Sequence, residues 1–511
     1  MSAKLTRRQF LAGVGAVGAS ALLGNNAAAE TGSVVGQQIF FPRIQNYTRS
    51  DRLNLITVVC DSLRYDHVGF MGNPWIRTPN LDAFAAQAVV FDKAHVGGFP
   101  TLLHRAELFT GRWMYTTIGW EDLPAGETHV ARLLTDAGYL TGIVFDNWLL
   151  KDEGRSYERG FGSWEWIRGQ ITDRYRVTPV QPPLPADPSK LRHGASDITQ
   201  YLRNVGARQS EDDYFPAQTM RAAIAWLERT HKAGPFYLHI DSYDPHEPWD
   251  PPRPYVDLYD PGYVGEEVIY PAYAPPTYLS PAELRHMRAL YAAEVTMVDR
   301  WLGELFAAID RLGLAQNTAV MLMSDHGFLL GEHNAVGKSW DEGSITFAYS
   351  LWQELAHVVL MARLPGVAPR RSKALAQAAD IAPTLLDLAG VERPANLHGV
   401  SLVPLLRTAT GEPEPVLRSA AVASRTLLAP LNTRPTITVS DGDWTLIHGG
   451  AHASGGLYHL ADDPQQQIDL LSQQNEMASA LHAYLIDFLE NLGLPEERIA
   501  PWRPATRQSV L

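Results

Sequence analysis

Short apolar runs alternate with longer segments of helical periodicity from residue 53 onward. Residues 55–60 form an unbroken run rich in β-branched residues, which is typical of a strand buried on both faces. The same pattern predicts further strands at residues 89–91, 139–145, 235–241 and 318–324, and helices at residues 78–88, 128–137, 217–229 and 282–312. Strands that alternate with helices predict an α/β fold with a large, mostly parallel sheet covered on both faces.

Two proline-rich stretches, residues 178–190 and 245–281, interrupt this alternation and are expected to be long surface loops. After residue 406 the pattern changes. Residues 436–439, 444–448 and 456–460 are typical of short antiparallel strands, and an amphipathic helix is predicted at residues 474–492. We therefore expect a larger domain over residues 50–410 and a smaller C-terminal α+β subdomain over residues 411–511.

The first 29 residues resemble a twin-arginine export signal. Arg7 and Arg8 precede a mildly apolar stretch over residues 11–23, and three alanines end at Ala29. The apolar stretch is far shorter than the ~20 residues that span a bilayer, so no integral membrane segment is predicted, although an uncleaved anchor is the alternative. The resemblance implies the twin-arginine export machinery as a partner and a periplasmic or secreted location.

Composition narrows the choice of partners. The 511 residues carry a formal net charge of −13, and apart from two Arg-Arg pairs they lack basic runs that could form a face for the phosphates of nucleic acid. Nucleic-acid binding is therefore not expected, whereas a small anionic substrate held by a metal or by buried cations is compatible with this composition. The single cysteine, Cys60, excludes an internal disulfide and a multi-thiolate zinc site, and its apolar neighbours favour a core position.

Four polar clusters follow predicted strands or open predicted helices. They lie at residues 61–64, 97–105, 241–249 and 324–338, and the second cluster opens a predicted helix that begins near Thr101 and ends near Thr110. Ligands of such sheets collect where the carboxyl ends of the strands meet loops and helix N-termini. Each cluster taken alone is equally compatible with helix capping. Together they supply carboxylates and imidazoles, which are ligands suited to Ca²⁺, Mg²⁺, Mn²⁺ or Zn²⁺.

The order of these clusters resembles the sulfatase family of the alkaline phosphatase superfamily. The motifs are Asp-x-Leu-Arg-x-Asp from Asp61, Pro-Thr-x-x-x-Arg-x-x-x-x-Thr-Gly-Arg from Pro100, Asp-Pro-His-Glu-Pro-Trp from Asp244, and Ser-Asp-His-Gly from Ser324. The resemblance covers roughly residues 52–410, and residues 456–464 resemble the end of sulfatase C-terminal subdomains. It implies an alkaline-phosphatase-like α/β/α sandwich and an enzyme that hydrolyses phosphoric or sulfuric esters.

The resemblance also implies site residues. Asp61, Asp325 and His326, together with Thr101, match the ligands of one divalent metal ion. Arg105 matches the arginine that orients the nucleophile and the metal, and His246 and Lys338 match the cations that hold the substrate's anionic oxygens. The sequence departs from the family pattern at Ser62, where many members have a second aspartate. It also departs at residues 145–148, which replace a Gly-Lys-x-His segment.

The nucleophile position is the largest departure. Sulfatases place a cysteine or serine four residues before the motif arginine and convert it to formylglycine, whereas this chain has Thr101. No formylglycine is therefore expected. Threonine there resembles the phosphodiesterase and phosphotransferase branches of the superfamily, in which a metal-activated hydroxyl attacks in line and forms a covalent ester. This favours a phosphodiester, phosphonate or phosphate ester as substrate, with a sulfate ester as the alternative.

Three alternatives accompany this interpretation. A second metal could be held by Asp244 and His246 with His333 or His398, although Lys338 matches the one-metal pattern and one metal is favoured. The protein could be a phosphotransferase that uses the same threonine. It could also be a non-catalytic, degenerate sulfatase-like protein that binds an anionic ligand.

Overall fold

Each strand and helix expected between residues 54 and 324 forms close to its predicted bounds in a computed structural model. The structure describes residues 52–503 except residues 152–155, 180, 343–344, 429–435 and 450–454. The export signal predicted at residues 1–29 lies outside these described residues. The apolar pattern therefore predicted these particular strands and helices between residues 54 and 324.

The strands follow one another along the whole described chain. They are β1 (Asn54–Cys60), β2 (Val89–His95), β3 (Leu140–Phe145), β4 (Ser163–Trp166), β5 (Phe236–Ser242), β6 (Thr318–Ser324), β7 (Leu329–Leu330), β8 (Val336–Gly337), β9 (Ser339–Glu342), β10 (Ile345–Ala348), β11 (Leu360–Arg363), β12 (Arg370–Gln377), β13 (Ala421–Ser424), β14 (Ile437–Ser440), β15 (Trp444–His448) and β16 (Gly456–His459).

The helices lie between these strands and after them. They are α1 (Pro79–Ala85), α2 (Thr101–Thr110), α3 (Val130–Asp136), α4 (Ser196–Val205), α5 (Phe215–Thr230), α6 (Arg253–Val256), α7 (Pro281–Arg311), α8 (Gln353–Ala356), α9 (Ile381–Ala389), α10 (Val403–Leu406), α11 (Asn475–Asn491) and α12 (Glu496–Ile499).

An eight-stranded sheet forms the centre of the fold, in the order β12-β2-β11-β6-β1-β5-β3-β4. Its neighbouring strands pair in parallel except at β11, which runs antiparallel to β2 and β6. The predicted large, mostly parallel sheet is thereby confirmed. The sequence pattern did not identify β4, β11 or β12, because these strands lack the long apolar run that marks β1.

Helices cover both faces of this sheet. Along β1, Leu55 and Val59 pack into one apolar core with α2, α3 and α9, whereas Ile56, Val58 and Cys60 pack into the opposite core with α1, α5 and α7. Cys60 is fully buried, as its apolar neighbours predicted, and burial raises the pKa of its thiol. This arrangement explains why residues 55–60 carry no alternation of apolar and polar positions.

A four-stranded antiparallel sheet, in the order β13-β14-β15-β16, forms after residue 420. Leu446 and Leu457 of this sheet and Leu485 of α11 are fully buried in the same core as α2 and α9. The predicted C-terminal strands and helix are thus confirmed. The boundary placed between residues 410 and 411 stays a prediction. No helix in the described part of the chain carries an apolar stretch that would span a lipid bilayer.

The two proline-rich stretches are mostly irregular, as expected. Residues 245–281 contain the short helix α6 and one turn of 3₁₀ helix at Pro276–Tyr278. The three cis peptide bonds of the described chain precede Pro100, Pro245 and Pro248. All three lie in segments that reach the carboxyl edge of the large sheet.

Candidate active site

The site is built where three adjacent parallel strands end. Cys60, the last residue of β1, pairs with Ser242 at the end of β5 and with Ser324 at the end of β6. The next residues along β1 and β6 are Asp61 and Asp325. Strand register therefore brings two residues that are 264 positions apart in the sequence to the same edge of the sheet.

Asp61, Asp325 and His326 form a group that could hold a metal ion. All three are fully buried, and one ligand atom from each lies within 4.8 Å of the others. The His326 Nδ1–H donates to the carbonyl of Gly327 at 3.0 Å, so the Nε2 lone pair faces the group. Burial lowers the pKa of His326 to about 3, which keeps the imidazole neutral, as a metal ligand requires. This donor set suits a divalent cation.

Arg105 of α2 lies among three buried carboxylates. Its guanidinium donates to both oxygens of Asp241 at 2.9 and 3.0 Å, also donates to Asp325, and lies 3.3 Å from an oxygen of Asp61. Burial disfavours a charged Asp241, but Arg105 and the hydrogen-bonded His239 together outweigh burial and lower the pKa of that carboxyl to about 2. Burial and the neighbouring charge of Asp325 raise the pKa of Asp61 well above its usual range. One guanidinium therefore does not keep all three carboxyl groups ionised, and a divalent cation would stabilise the charge of Asp61.

Asp241 received no role from the sequence, although it lies within one of the polar clusters. It is the last but one residue of β5 and pairs with Val59, two residues before Asp61. A carboxylate at the end of a fully buried parallel strand is the signal that could have identified it.

Thr101 is the first residue of α2, as the sequence predicted. Its hydroxyl Oγ1 lies 3.2 Å from His326 Nε2, and the side chain is 1% exposed. All ten residues of α2 are buried. The free backbone N–H groups at the start of such a helix favour an anion beside Thr101.

Lys338 and His246 face each other across the same site. Lys338 Nζ lies 2.5 Å from His246 Nε2 and 3.5 Å from Ser62 Oγ. The His246 Nδ1–H donates to the carbonyl of Glu247 at 2.6 Å, so the lone pair is on Nε2 and can accept a hydrogen bond from Lys338. The Tyr243 hydroxyl oxygen lies 2.9 Å from the same nitrogen. Burial, followed by the charge of Lys338, lowers the pKa of His246 well below its usual range. The pair therefore presents one positive charge, not the two that the sequence suggested.

The structure does not bring the residues predicted for a second metal into one group. Asp244 accepts a hydrogen bond from Gln170 at 3.2 Å, whereas the His246 ring stacks on Tyr243 with 4.1 Å between the ring centroids. Among the described residues, one group of three or more His, Cys, Asp or Glu side chains has the spacing of metal ligands. This group is Asp61, Asp325 and His326.

The two histidines considered as third ligands of that second metal have other partners. His333 Nε2 lies 3.2 Å from a Glu354 oxygen, and its ring stacks on Trp352 at 4.1 Å. His398 Nδ1 accepts a hydrogen bond from the Trp113 N–H at 3.1 Å. In each case the imidazole contacts a residue other than Asp244.

Two neutral side chains at positions that depart from the family pattern, Ser62 and Asn147, contact the buried carboxylates. Ser62 donates from Oγ to Asp61 at 2.9 Å, and its backbone N–H donates to Asp325 at the same distance. Asn147 Nδ2 lies 3.3 Å from Asp241 and 3.5 Å from Asp61. These residues hold the carboxylates in place without adding charge.

A cavity of about 490 Å³ opens onto Thr101, His246 and Lys338. A volume of this size suits a small organic ligand. Its walls contain aromatic side chains and three further basic residues that the sequence did not single out: Arg192, His193 and Arg425. The hydrogen bond to Asp197 raises the pKa of His193 to about 9, which keeps this imidazole charged at neutral pH.

Gly327 sets the position of the His326 ring, and we expect Gly327→Ala to lower the free energy of unfolding by about 1–3 kcal/mol. A Cβ at this position would lie 1.8 Å from the backbone carbonyl oxygen of Glu354, so the backbone must move. Urea denaturation measures the change. Gly126→Ala is the matched control, because its Cβ would meet no atom within 4 Å. Equal stability of the two variants would contradict the prediction.

Two family models match the chain. One, described as Sulfatase, matches residues 53–391, and the other, described as N-sulphoglucosamine sulphohydrolase, C-terminal, matches residues 348–491. An arylsulfatase of Clostridium perfringens is 25% identical over 393 residues, which cover 69% of this chain and 78% of that protein.

Two solved structures share the fold. A phosphonate monoester hydrolase of Agrobacterium radiobacter matches with a TM-score of 0.66 at 22% identity, covering 86% of this chain and 95% of the other. A protein solved in complex with its substrate D-glucosamine-2-N,6-O-disulfate matches with a TM-score of 0.67 at 20% identity, covering 86% and 98%. Both share this fold over nearly their whole length.

Proposed function

The chain belongs to the sulfatase family, and on that premise we propose that it is a metal-dependent hydrolase that cleaves an anionic ester by attack of Thr101. The observation that carries this proposal is the position of the Thr101 hydroxyl. It lies on the wall of the cavity and 3.2 Å from His326, a member of the Asp61, Asp325 and His326 group. The Thr101 hydroxyl therefore lies next to the group of side chains that could hold a metal ion.

Each side chain then has a defined role. A divalent cation held by Asp61, Asp325 and His326 would lower the pKa of the Thr101 hydroxyl and favour its alkoxide. Arg105 holds the carboxylates in position through its contacts with Asp241 and Asp325. The helix N-terminus at Thr101 stabilises negative charge on the reacting group.

The reaction proceeds by in-line displacement. Thr101 Oγ1 forms a bond to phosphorus or sulfur while the bond to the leaving oxygen breaks, and Lys338 supplies the proton that this oxygen takes up. Water then hydrolyses the threonyl ester. The contact between Lys338 Nζ and His246 Nε2 keeps the ammonium group directed into the cavity that Thr101 lines.

Substrate class is the next step of the proposal. A phosphonate monoester hydrolase and a protein that acts on a sulfated sugar share this fold, so either centre fits the scaffold. Thr101 favours phosphorus, because a hydroxyl can attack a phosphoester directly whereas the family's sulfate chemistry uses formylglycine. Phosphodiesters, phosphonates and phosphate esters are thus favoured over sulfate esters.

An assay of four aryl esters tests this assignment. Matched 4-nitrophenyl phosphodiester, phosphonate, phosphate and sulfate esters are hydrolysed side by side, and kcat/KM is measured for each. We expect at least one phosphorus ester to give a higher kcat/KM than the sulfate ester. A sulfate ester that exceeds all three would overturn the preference, and metal binding without turnover of any ester would favour the non-catalytic alternative.

Export completes the proposal. The Arg7-Arg8 pair and the following apolar stretch support recognition by the twin-arginine machinery, cleavage after Ala29 and a periplasmic or secreted location. A protein with one cysteine can fold in a reducing cytoplasm before such export.

A further inference from the structure

Arg425 enters the cavity from the C-terminal part of the chain. It follows β13, and the β13 backbone is joined to the segment before Thr101: the Phe99 N–H donates to Ser424 O at 2.9 Å, and the Ser424 N–H donates to Gly97 O at 2.9 Å. These bonds place the Arg425 guanidinium over the Phe99 ring, 5.0 Å from its centroid. A residue more than 300 positions from Thr101 thereby lines the same cavity.

The two other basic residues that the sequence did not single out, Arg192 and His193, already have acidic partners. Arg192 Nε lies 3.1 Å from Asp341, and its Nη1 lies 3.7 Å from Glu247. His193 Nδ1 lies 2.7 Å from Asp197. The charges of these two residues are therefore largely offset by the protein itself.

Arg425 differs from them in its partners. Within the described residues it has no carboxylate at ion-pair distance; its Nη2 donates to the backbone carbonyl of Lys338 at 2.6 Å, and its Nε has no hydrogen-bond partner. Burial lowers the pKa of Arg425 to about 10, so the guanidinium stays charged at neutral pH. A half-buried charge and a buried N–H donor left without partners are costly unless a ligand supplies them.

Other features of the cavity indicate what that ligand is. Trp148 also lines the cavity, and its buried indole Nε1–H has no hydrogen-bond partner among the described residues. Trp120 and Tyr270 add aromatic surface that a ring can contact. The Lys338 side chain extends from the carbonyl that Arg425 contacts towards His246 and Ser62, so it lies at the reacting end of the cavity.

We propose that Arg425 binds a second anionic group on the alcohol portion of the substrate, separate from the ester that faces Thr101. The preferred substrate is therefore an ester of a ring alcohol that itself carries a carboxylate or another oxyanion. Arg425 is a specificity-determining residue supplied by the C-terminal part of the chain. This inference rests on the proposed function, because it takes the Thr101 cavity as the substrate site.

The test compares two esters that differ by one carboxylate. Wild type and Arg425→Gln are assayed on a 4-nitrophenyl ester of the class that wild type hydrolyses best and on the same ester with a ring carboxylate. We expect Arg425→Gln to lower kcat/KM for the carboxylated ester by about 10- to 100-fold, mainly through KM, because a charge-assisted hydrogen bond is lost. For the ester without the ring carboxylate, kcat/KM should change by less than about threefold.

Controls separate this role from a general one. Arg503→Gln removes a charge from an exposed ion pair with Glu496. This variant should leave kcat/KM unchanged for both esters. An equal loss on both esters would overturn the proposal, since Arg425 would then act on the reacting ester or on the fold. Unchanged kinetics on both esters would overturn it as well.

A binding measurement keeps this inference distinct from the proposed function. Calorimetric titration with the carboxylated alcohol alone requires no turnover, and it should show weaker binding to Arg425→Gln than to wild type. If wild type hydrolyses no ester but still binds the carboxylated alcohol through Arg425, the proposed hydrolysis fails while the binding site stands. If both proteins bind the alcohol equally, the site is wrong whatever the activity.

Discussion

Thr101→Ala is expected to abolish ester hydrolysis, with a fall in kcat of about 10³-fold or more. The alanine leaves the metal-ligand group and the cavity intact but removes the oxygen that forms the bond to phosphorus or sulfur. Initial rates on the best aryl ester measure the loss. Acid quenching of wild type during turnover, followed by mass spectrometry, should find the esterified peptide that contains Thr101.

Two variants control this result. Thr101→Ser keeps the hydroxyl and should retain measurable turnover. Thr110→Ala removes a hydroxyl from the other end of α2, where Oγ1 donates only to the carbonyl of Ala106, and should stay within about threefold of wild type. Full activity of Thr101→Ala would rule out the covalent mechanism, and water would then be the attacking group.

Asp325→Asn is expected to lower both metal content and activity. Asp325 contributes one of the three ligands in the group with Asp61 and His326, and the amide retains the shape of the carboxylate without its charge. We expect elemental analysis to give about one divalent ion per chain in wild type and much less in the variant. The rate should fall by about 10²-fold or more, because a charge at the reacting centre is lost.

Asp244→Asn and His333→Gln serve as the comparison for metal stoichiometry. Both residues were considered as ligands of an alternative second metal, but the structure pairs them with Gln170 and Glu354. Each variant should therefore keep the metal content of wild type. Two ions per wild-type chain, with one lost in either variant, would show that a second metal site forms after all.

The family resemblance of the motifs indicated candidate site residues, and the structure brings Asp61, Asp325 and His326 within the spacing of metal ligands. Asp61 and Asp325 follow unbroken apolar runs, and Thr101 and Arg105 lie four residues apart on one predicted helix. Such local patterns carry information about burial and about position on an element. The same reasoning gave no role to Asp241, because a carboxylate at a strand end is equally typical of a helix cap.

The charge state of His246 and Lys338 is a second feature that the sequence did not determine. The sequence suggested two cations at His246 and Lys338, but their 2.5 Å contact requires that one of them be uncharged. Protonation depends on burial and on neighbours from other elements, and neither is encoded in the residue type alone.

The sequence by itself determined the order and kind of the elements, the covering of the sheet on both faces, and the residues that make up the metal-ligand group. Tertiary structure alone decided which distant residues share the cavity. Arg425 reaches Phe99 because β13 pairs its backbone with the segment before Thr101, whereas His333 is held against Trp352 and Glu354. Periodicity records how each residue is buried locally, but contacts across hundreds of residues depend on how the strands and the two cores pack together.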